Sequence, residues 1–161
     1  MFGLPHIMMS SQAVSNFGTK LQVELTPLSG EYTTIGEARM VPAPQEEQDD
    51  IEVTHHSSIG YREYKPSKLK DQGELAVVVN SVPTESTQSA LKTLHESGDE
   101  RQFRIVRPNG IVESFGAYIK SIVSNDADAQ SPEAVQDTIT FRLSGSATRT
   151  INTELAESVC G

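Results

Sequence analysis

Phe103-Arg104-Ile105-Val106-Arg107-Pro108-Asn109-Gly110-Ile111-Val112 is the stretch that decides the fold, together with its continuation Glu113-Ser114-Phe115-Gly116-Ala117-Tyr118-Ile119. Two runs rich in β-branched and aromatic residues, 103–107 and 111–123, face each other across Pro108-Asn109-Gly110. Proline fixes one backbone dihedral and glycine accepts positive φ, so the three residues predict a tight turn and the flanking runs an antiparallel hairpin.

Outward from the hairpin, alternation with a period of two recurs. Residues 135–143 place Val135, Ile139, Phe141 and Leu143 on one face and Gln136, Thr138, Thr140 and Arg142 on the other. Residues 20–26 do the same with Leu21, Val23 and Leu25. This is the pattern of half-buried antiparallel strands. Residues 74–79 are more continuously apolar, as a central strand is, and shorter strands are expected at 32–40 and 52–55. Between Pro83 and Ser97 the spacing changes: Ala90, Leu91 and Leu94 recur at helical intervals, with Thr84 placed to cap the start and Gly98 to stop the helix. The sequence therefore predicts a mainly β fold: an antiparallel sandwich or barrel with one short α-helix over an open end.

Two stretches have no such rhythm. Residues 1–19 read as an N-terminal arm and residues 146–161 as a C-terminal arm, leaving 20–145 as one domain. Inside that domain, 42–70 reads as a long loop with its charges segregated. Glu46, Glu47, Asp49, Asp50 and Glu52 come first; Arg62, Lys65, Lys68 and Lys70 follow. Connections of this length inside small domains are usually functional or disordered. The functional reading is a docking arm whose two signs meet complementary charges on neighbouring copies, and the bland one is a solvated loop.

Composition narrows the function. The apolar fraction, 36%, is low for a compact domain, which fits exposed arms or a surface buried only on oligomerisation. A formal net charge of -9 argues against a phosphate-gripping basic surface. The single cysteine, Cys160, has no partner for an internal disulfide, and 1–9 lack the basic leader of a signal peptide and are broken by Pro5, so a reducing cytoplasm is expected. Neighbours on a strand point to opposite faces, so His55 and His56 do not suit one metal ion. Asp126 and Asp128 start like a calcium loop, but Ser131 stands where glycine is needed and Asp137 where glutamate is. With no nucleophile elbow and no phosphate-cradling glycine loop, neither catalysis nor a cofactor is expected.

Gly98-Asp99-Glu100-Arg101-Gln102-Phe103, the turn 108–110, and then Val112, Phe115, Gly116 and Ile119-Lys120-Ser121-Ile122 carry a resemblance. A short helix ends in Gly-Asp, and a strand, a Pro-Asn-Gly turn and a strand with a mid-length glycine follow. This resembles the tail tube proteins of long non-contractile-tailed phages of the lambda type, specifically over about 83–124; elsewhere only the order of elements agrees. The immunoglobulin-like domain that some members add is not expected here. The resemblance implies a structural subunit, made in the host cytoplasm and placed in the virion. It also implies hexameric rings stacked around a tape-measure protein, contacts with tail terminator and distal tail proteins, and a lumen through which DNA passes unbound. A tube subunit of a contractile injection system, or a tail adaptor ring, is the nearest alternative. A carbohydrate-binding sandwich is weaker, because aromatics are only 6% of residues and the core needs several.

Overall fold

The computed structural model describes residues 15, 17–57, 59–125, 129–130 and 132–152. The positions of Asp126, Asp128, Ser131 and Cys160, most of the N-terminal arm and residues 153–161 lie outside the described residues.

The central hairpin forms as its sequence predicts. Strand β7 is Arg101–Val106 and β8 is Ile111–Ser124, paired antiparallel from Val106↔Val112 to Arg101↔Ala117. In the turn, the Gly110 amide donates to the Arg107 carbonyl at 3.1 Å and the Arg107 amide to that of Ile111 at 2.9 Å. Gly110 sits at φ 88°, where a side chain would be strained. The remaining strands are β1 (Lys20–Val23), β2 (Thr33–Thr34), β3 (Ala38–Met40), β4 (Glu47–Glu52), β5 (Tyr64–Asp71), β6 (Glu74–Asn80) and β9 (Gln136–Ile151). Seven of the strands make one antiparallel sheet in the order β2-β1-β7-β8-β9-β6-β3.

That order, combined with chain connectivity, requires closure. β2 and β3 occupy opposite ends of the sheet, yet only residues 35–37 join them. Seven strands laid flat would separate the end strands by about 29 Å at ~4.8 Å per step. The link spans at most about 14 Å. The sheet must therefore curl until its ends meet, which settles the choice between sandwich and barrel in favour of a barrel. At the seam, the Ile35 amide donates to the Leu21 carbonyl at 2.8 Å and the Asn80 amide to the Glu37 carbonyl at 2.9 Å.

Inside the barrel, Leu21, Val23, Ile35, Leu75, Val77, Val79, Ile105, Ala117, Ile139 and Leu143 surround three phenylalanines. Phe103 stacks on Phe115 at 6.1 Å and meets Phe141 edge-on at 4.9 Å. Helix α1 is Ser86–Ser97 and adds Leu91 and Leu94 to the same core. Gly98 ends it in the left-handed region, its amide donating to the Leu94 carbonyl at 2.9 Å.

Several expectations are corrected. The residue preceding the helix is Glu85, which makes no side-chain cap, rather than Thr84. The helix start is held instead by two buried polar residues. Thr87 Oγ1 accepts from the Gly36 amide at 3.2 Å, and Gln88 Nε2 donates to the Asn80 carbonyl at 2.8 Å. The helix is thus pinned to the barrel seam. Val135 is half exposed, because it lies one residue before β9 begins and the inward position is taken by Asp137. The C-terminal arm expected from residue 146 is instead strand as far as Ile151, paired with the start of β8 at Thr148↔Ser114, Arg149↔Glu113 and Ile151↔Ile111. This half of β9 is exposed on most of its positions, so burial leaves no alternation to read there. The strand expected at 52–55 ends at Glu52.

Candidate assembly surface

The charge-segregated segment is a β-hairpin, not a loop. β4 and β5 pair antiparallel as a separate two-stranded sheet, with Glu52↔Tyr64, Ile51↔Lys65 and Asp50↔Pro66 near the tip. A bulge separates them from Gln48↔Lys70 and Glu47↔Asp71 at the root. Antiparallel folding of an acidic run onto a basic run brings opposite charges of one subunit together, which the docking-arm expectation did not include. Lys70 Nζ lies 2.5 Å from Glu46 Oε1, and Arg62 Nε lies 4.0 Å from Glu52 Oε1. The other charged candidates, Glu47, Asp49, Asp50, Lys65 and Lys68, make no ion pair among the described residues.

Groups that no motif in the sequence singles out fix the root. Gly73, at φ 68°, turns the chain from β5 into β6. The Gly73 amide donates to Asp71 Oδ1 at 2.8 Å, and Arg142 Nη2 on β9 donates to both Asp71 oxygens at 3.0 and 2.8 Å. The Gly73 amide and then the Arg142 guanidinium hold the Asp71 carboxyl below its ordinary range. Asp71 in turn keeps Arg142 more firmly protonated. The Glu46 carboxyl is lowered by the hydrogen bond from Lys70 and then by the Gln72 amide, whose Nε2 lies 2.8 Å from Oε2. These exposed pairs set direction more than stability.

Beyond the root the hairpin touches little. Every residue of β4 is exposed, and so is all of β5 except Ser67, which is half buried. A two-stranded hairpin in water is marginally stable by itself. This one also holds out Ile51, Ile59, Tyr61, Tyr64 and Leu69, with Ile59 at 92% and Tyr61 at 86% exposure. Charge runs drew attention to the segment, but its apolar residues are the stronger sign of a contact surface. Ile51 and Tyr64, sitting among charges, were the available signal. His55 and His56 lie in the connection between β4 and β5, with His55 Nδ1 2.9 Å from Ser57 Oγ. Among the described residues no group of three metal-ligating side chains converges.

A second unpartnered feature lies beside the root. β6 pairs with β9 only over residues 136–142 of β9, because the chain diverges into the hairpin at Gly73. Among the described residues, 144–151 of β9 pair with β8 alone, which leaves their other edge without a strand. Open edges are sites at which another chain can pair.

A barrel with a helix on its seam, an outstretched hairpin and an open strand edge is a geometry for assembly. The sequence profile of the lambda phage tail tube protein family matches residues 17–150. The chain belongs to that family. It is a phage tail tube subunit and so a component of the phage particle. The fold is shared with solved tail and baseplate structures. One, from the tail of an empty gene transfer agent particle refined with C6 symmetry, is 16% identical with a TM-score of 0.69, over 86% of this chain and 99% of that one. A chain from the six-fold symmetrised baseplate of the anti-feeding prophage is 13% identical with a TM-score of 0.73, over 91% and 99%. The SPP1 tail tube is 16% identical with a TM-score of 0.63, over 89% and 83%. No curated protein matches the tail tube subunit by sequence.

Proposed function

We propose that this tail tube subunit closes into six-membered rings that stack around a tape-measure protein, and that the β4–β5 hairpin is the contact between copies. The carrying observation is the hairpin itself: two strands exposed on both faces, presenting five large apolar side chains and unpaired charges of both signs. Such a surface is stable in water only when another surface covers it. The six-fold symmetry of the gene transfer agent tail and of the anti-feeding prophage baseplate supports a ring of six. Tail terminator and distal tail proteins would cap the two ends of the stack. A net charge of -9 per subunit supports a lumen through which DNA slides without adhering, since like charges repel within a screening length of ~8 Å. The subunit's role is structural and not enzymatic.

Replacing residues 47–71 with a short Gly-Ser link tests this. The barrel core lies outside the segment, so the variant folds and melts cooperatively. Negative-stain microscopy should then show no tubes. Normal tubes from a folded, hairpin-less subunit would remove the hairpin from the contact while leaving the barrel and its family untouched.

A further inference from the structure

The hairpin of one copy needs a receiving surface on the next, and the barrel carries a candidate on the far side of the sheet. After β1 the chain makes a turn, Thr26-Pro27-Leu28-Ser29, closed by the Ser29 amide donating to the Thr26 carbonyl at 3.3 Å. Leu28 occupies the third position at φ 59° and is 99% exposed. Proline at the second position and positive φ at the third make a turn that favours glycine or asparagine there. A leucine is doubly unfavourable in the free subunit: its backbone is strained and its side chain is wholly in water.

Beside Leu28 is a cavity of about 210 Å³, lined also by Glu24, Pro27, Glu100, Arg101 and Gln102. Glu24 is only 6% exposed. Its amide donates to the Gln102 carbonyl at 2.9 Å, but its carboxylate has no hydrogen bond or ion pair among the described residues. Arg101 does not serve it. Its donors go to the carbonyls of Leu25 and Glu100 and to Asp99 Oδ2 at 3.4, 2.9 and 3.4 Å. That carboxylate still meets solvent and is not among the buried polar atoms left without a partner, so it is open to pairing with a cation delivered into the cavity.

The hairpin supplies such cations. Lys65 and Lys68 are exposed and make no ion pair among the described residues, and Leu69 and Tyr64 beside them match the apolar lip of Pro27 and Leu28. Register places both features at one end of the barrel. The Leu143 amide donates to the Gly73 carbonyl, and Leu143 faces Ala117, which faces Arg101. The hairpin root and the cavity therefore lie in one row, four strand steps or about 19 Å apart around the sheet. β5, at eight residues, extends roughly 27 Å from its root, enough to leave its own barrel.

We infer that the cavity at Glu24, with Leu28 as its lip, is the socket into which a neighbouring copy inserts its hairpin, a Lys65 or Lys68 ammonium meeting the Glu24 carboxylate. This rests on the hairpin being the contact between copies. It makes that contact head-to-tail, two different surfaces meeting, which is the arrangement that generates rings by rotation.

The test uses the full chain. Glu24→Gln keeps the shape and removes the charge, and Leu28→Asn suits the strained turn while removing the lip. Both variants should melt at or above the parent temperature, and each should lower the mass of pelletable tube at least tenfold. Independently, with Cys160→Ser as background, Leu28→Cys combined with Lys65→Cys or Lys68→Cys should yield a ladder of cross-linked multimers from assembled tubes under a short bis-maleimide. Each single cysteine should not. Normal tubes from both Glu24→Gln and Leu28→Asn, or the absence of a ladder from both cysteine pairs, overturns the socket. If the hairpin-less variant fails to assemble in the same series, the hairpin contact stands and only its receptor is wrong. If that variant assembles normally, the underlying reading fails first.

Discussion

Leu91→Ala measures whether the helix belongs to the barrel core. Leu91 is fully buried, at 0% exposure, among residues of both the sheet and the helix. The substitution removes three carbon groups, worth about 2.4 kcal/mol at ~0.8 kcal/mol per buried group. The curled sheet behind the helix is tied at its seam by Thr87 and Gln88 and cannot collapse freely, so a cavity contribution adds to this. The expected loss is about 3–4 kcal/mol, inside the ~2–5 kcal/mol range of such changes. Leu94→Ala, at 8% exposure, should cost somewhat less. For a chain of this length each kcal/mol lowers the melting temperature by about 2–4 °C, so Leu91→Ala should lower it by roughly 6–16 °C. Thermal melts followed by circular dichroism, with urea unfolding to check that the m-value is unchanged, provide the measurement. Lys92→Ala, on the exposed face of the same helix, is the control and should stay within about 0.5 kcal/mol of the parent. A loss below about 1 kcal/mol for Leu91→Ala would mean that the barrel closes without the helix, and the packing argument would be wrong.

Gly110→Val should destabilise the subunit by about 1–3 kcal/mol, because φ 88° lies where a β-branched residue is strained; denaturant unfolding reads it, and parental stability would mean the turn relaxes freely. Lys65→Glu with Lys68→Glu should leave the melt unchanged and shorten tubes, the defect varying with salt because exposed interface charges are screened; tubes of parental length at low salt would count against the hairpin contact. The hairpin root should also loosen in acid. The Glu46 and Asp71 carboxyls are lowered from 4.5 and 3.8, so what they contribute is complete above those values and is lost as pH falls through the lower folded ones. Amide exchange at 71–73 should therefore accelerate between pH 5 and pH 2 beyond its intrinsic pH dependence, with β7 and β8 unaffected; equal protection at both ends of that range would show that the pairs do not hold the root.

Local chemistry in the sequence determined the strands that face the core, the turn and the helix stop. Pro108-Asn109-Gly110 fixes its own backbone, alternation at 103–107 and 139–143 requires nothing distant, and Gly98 ends the helix by its own freedom at positive φ. The resemblance over 83–124 pointed to the tail tube family from these same residues. Tertiary structure alone decided what depends on partners far apart in the chain. Barrel closure rests on Ile35 meeting Leu21 while Glu37 meets Asn80. The second half of β9 is strand because β8 lies alongside it, and its largely exposed side chains record no such pairing. The acidic and basic runs at 46–52 and 62–70 showed their charges but not that they fold onto each other, because the pairing of two polar strands is set by backbone register and leaves no hydrophobic period. In the alternation of residues 20–26, Glu24 falls on the face opposite Leu21, Val23 and Leu25, the face expected to be polar. Tertiary structure leaves it 6% exposed, in a cavity it shares with the turn at Leu28 and the start of β7.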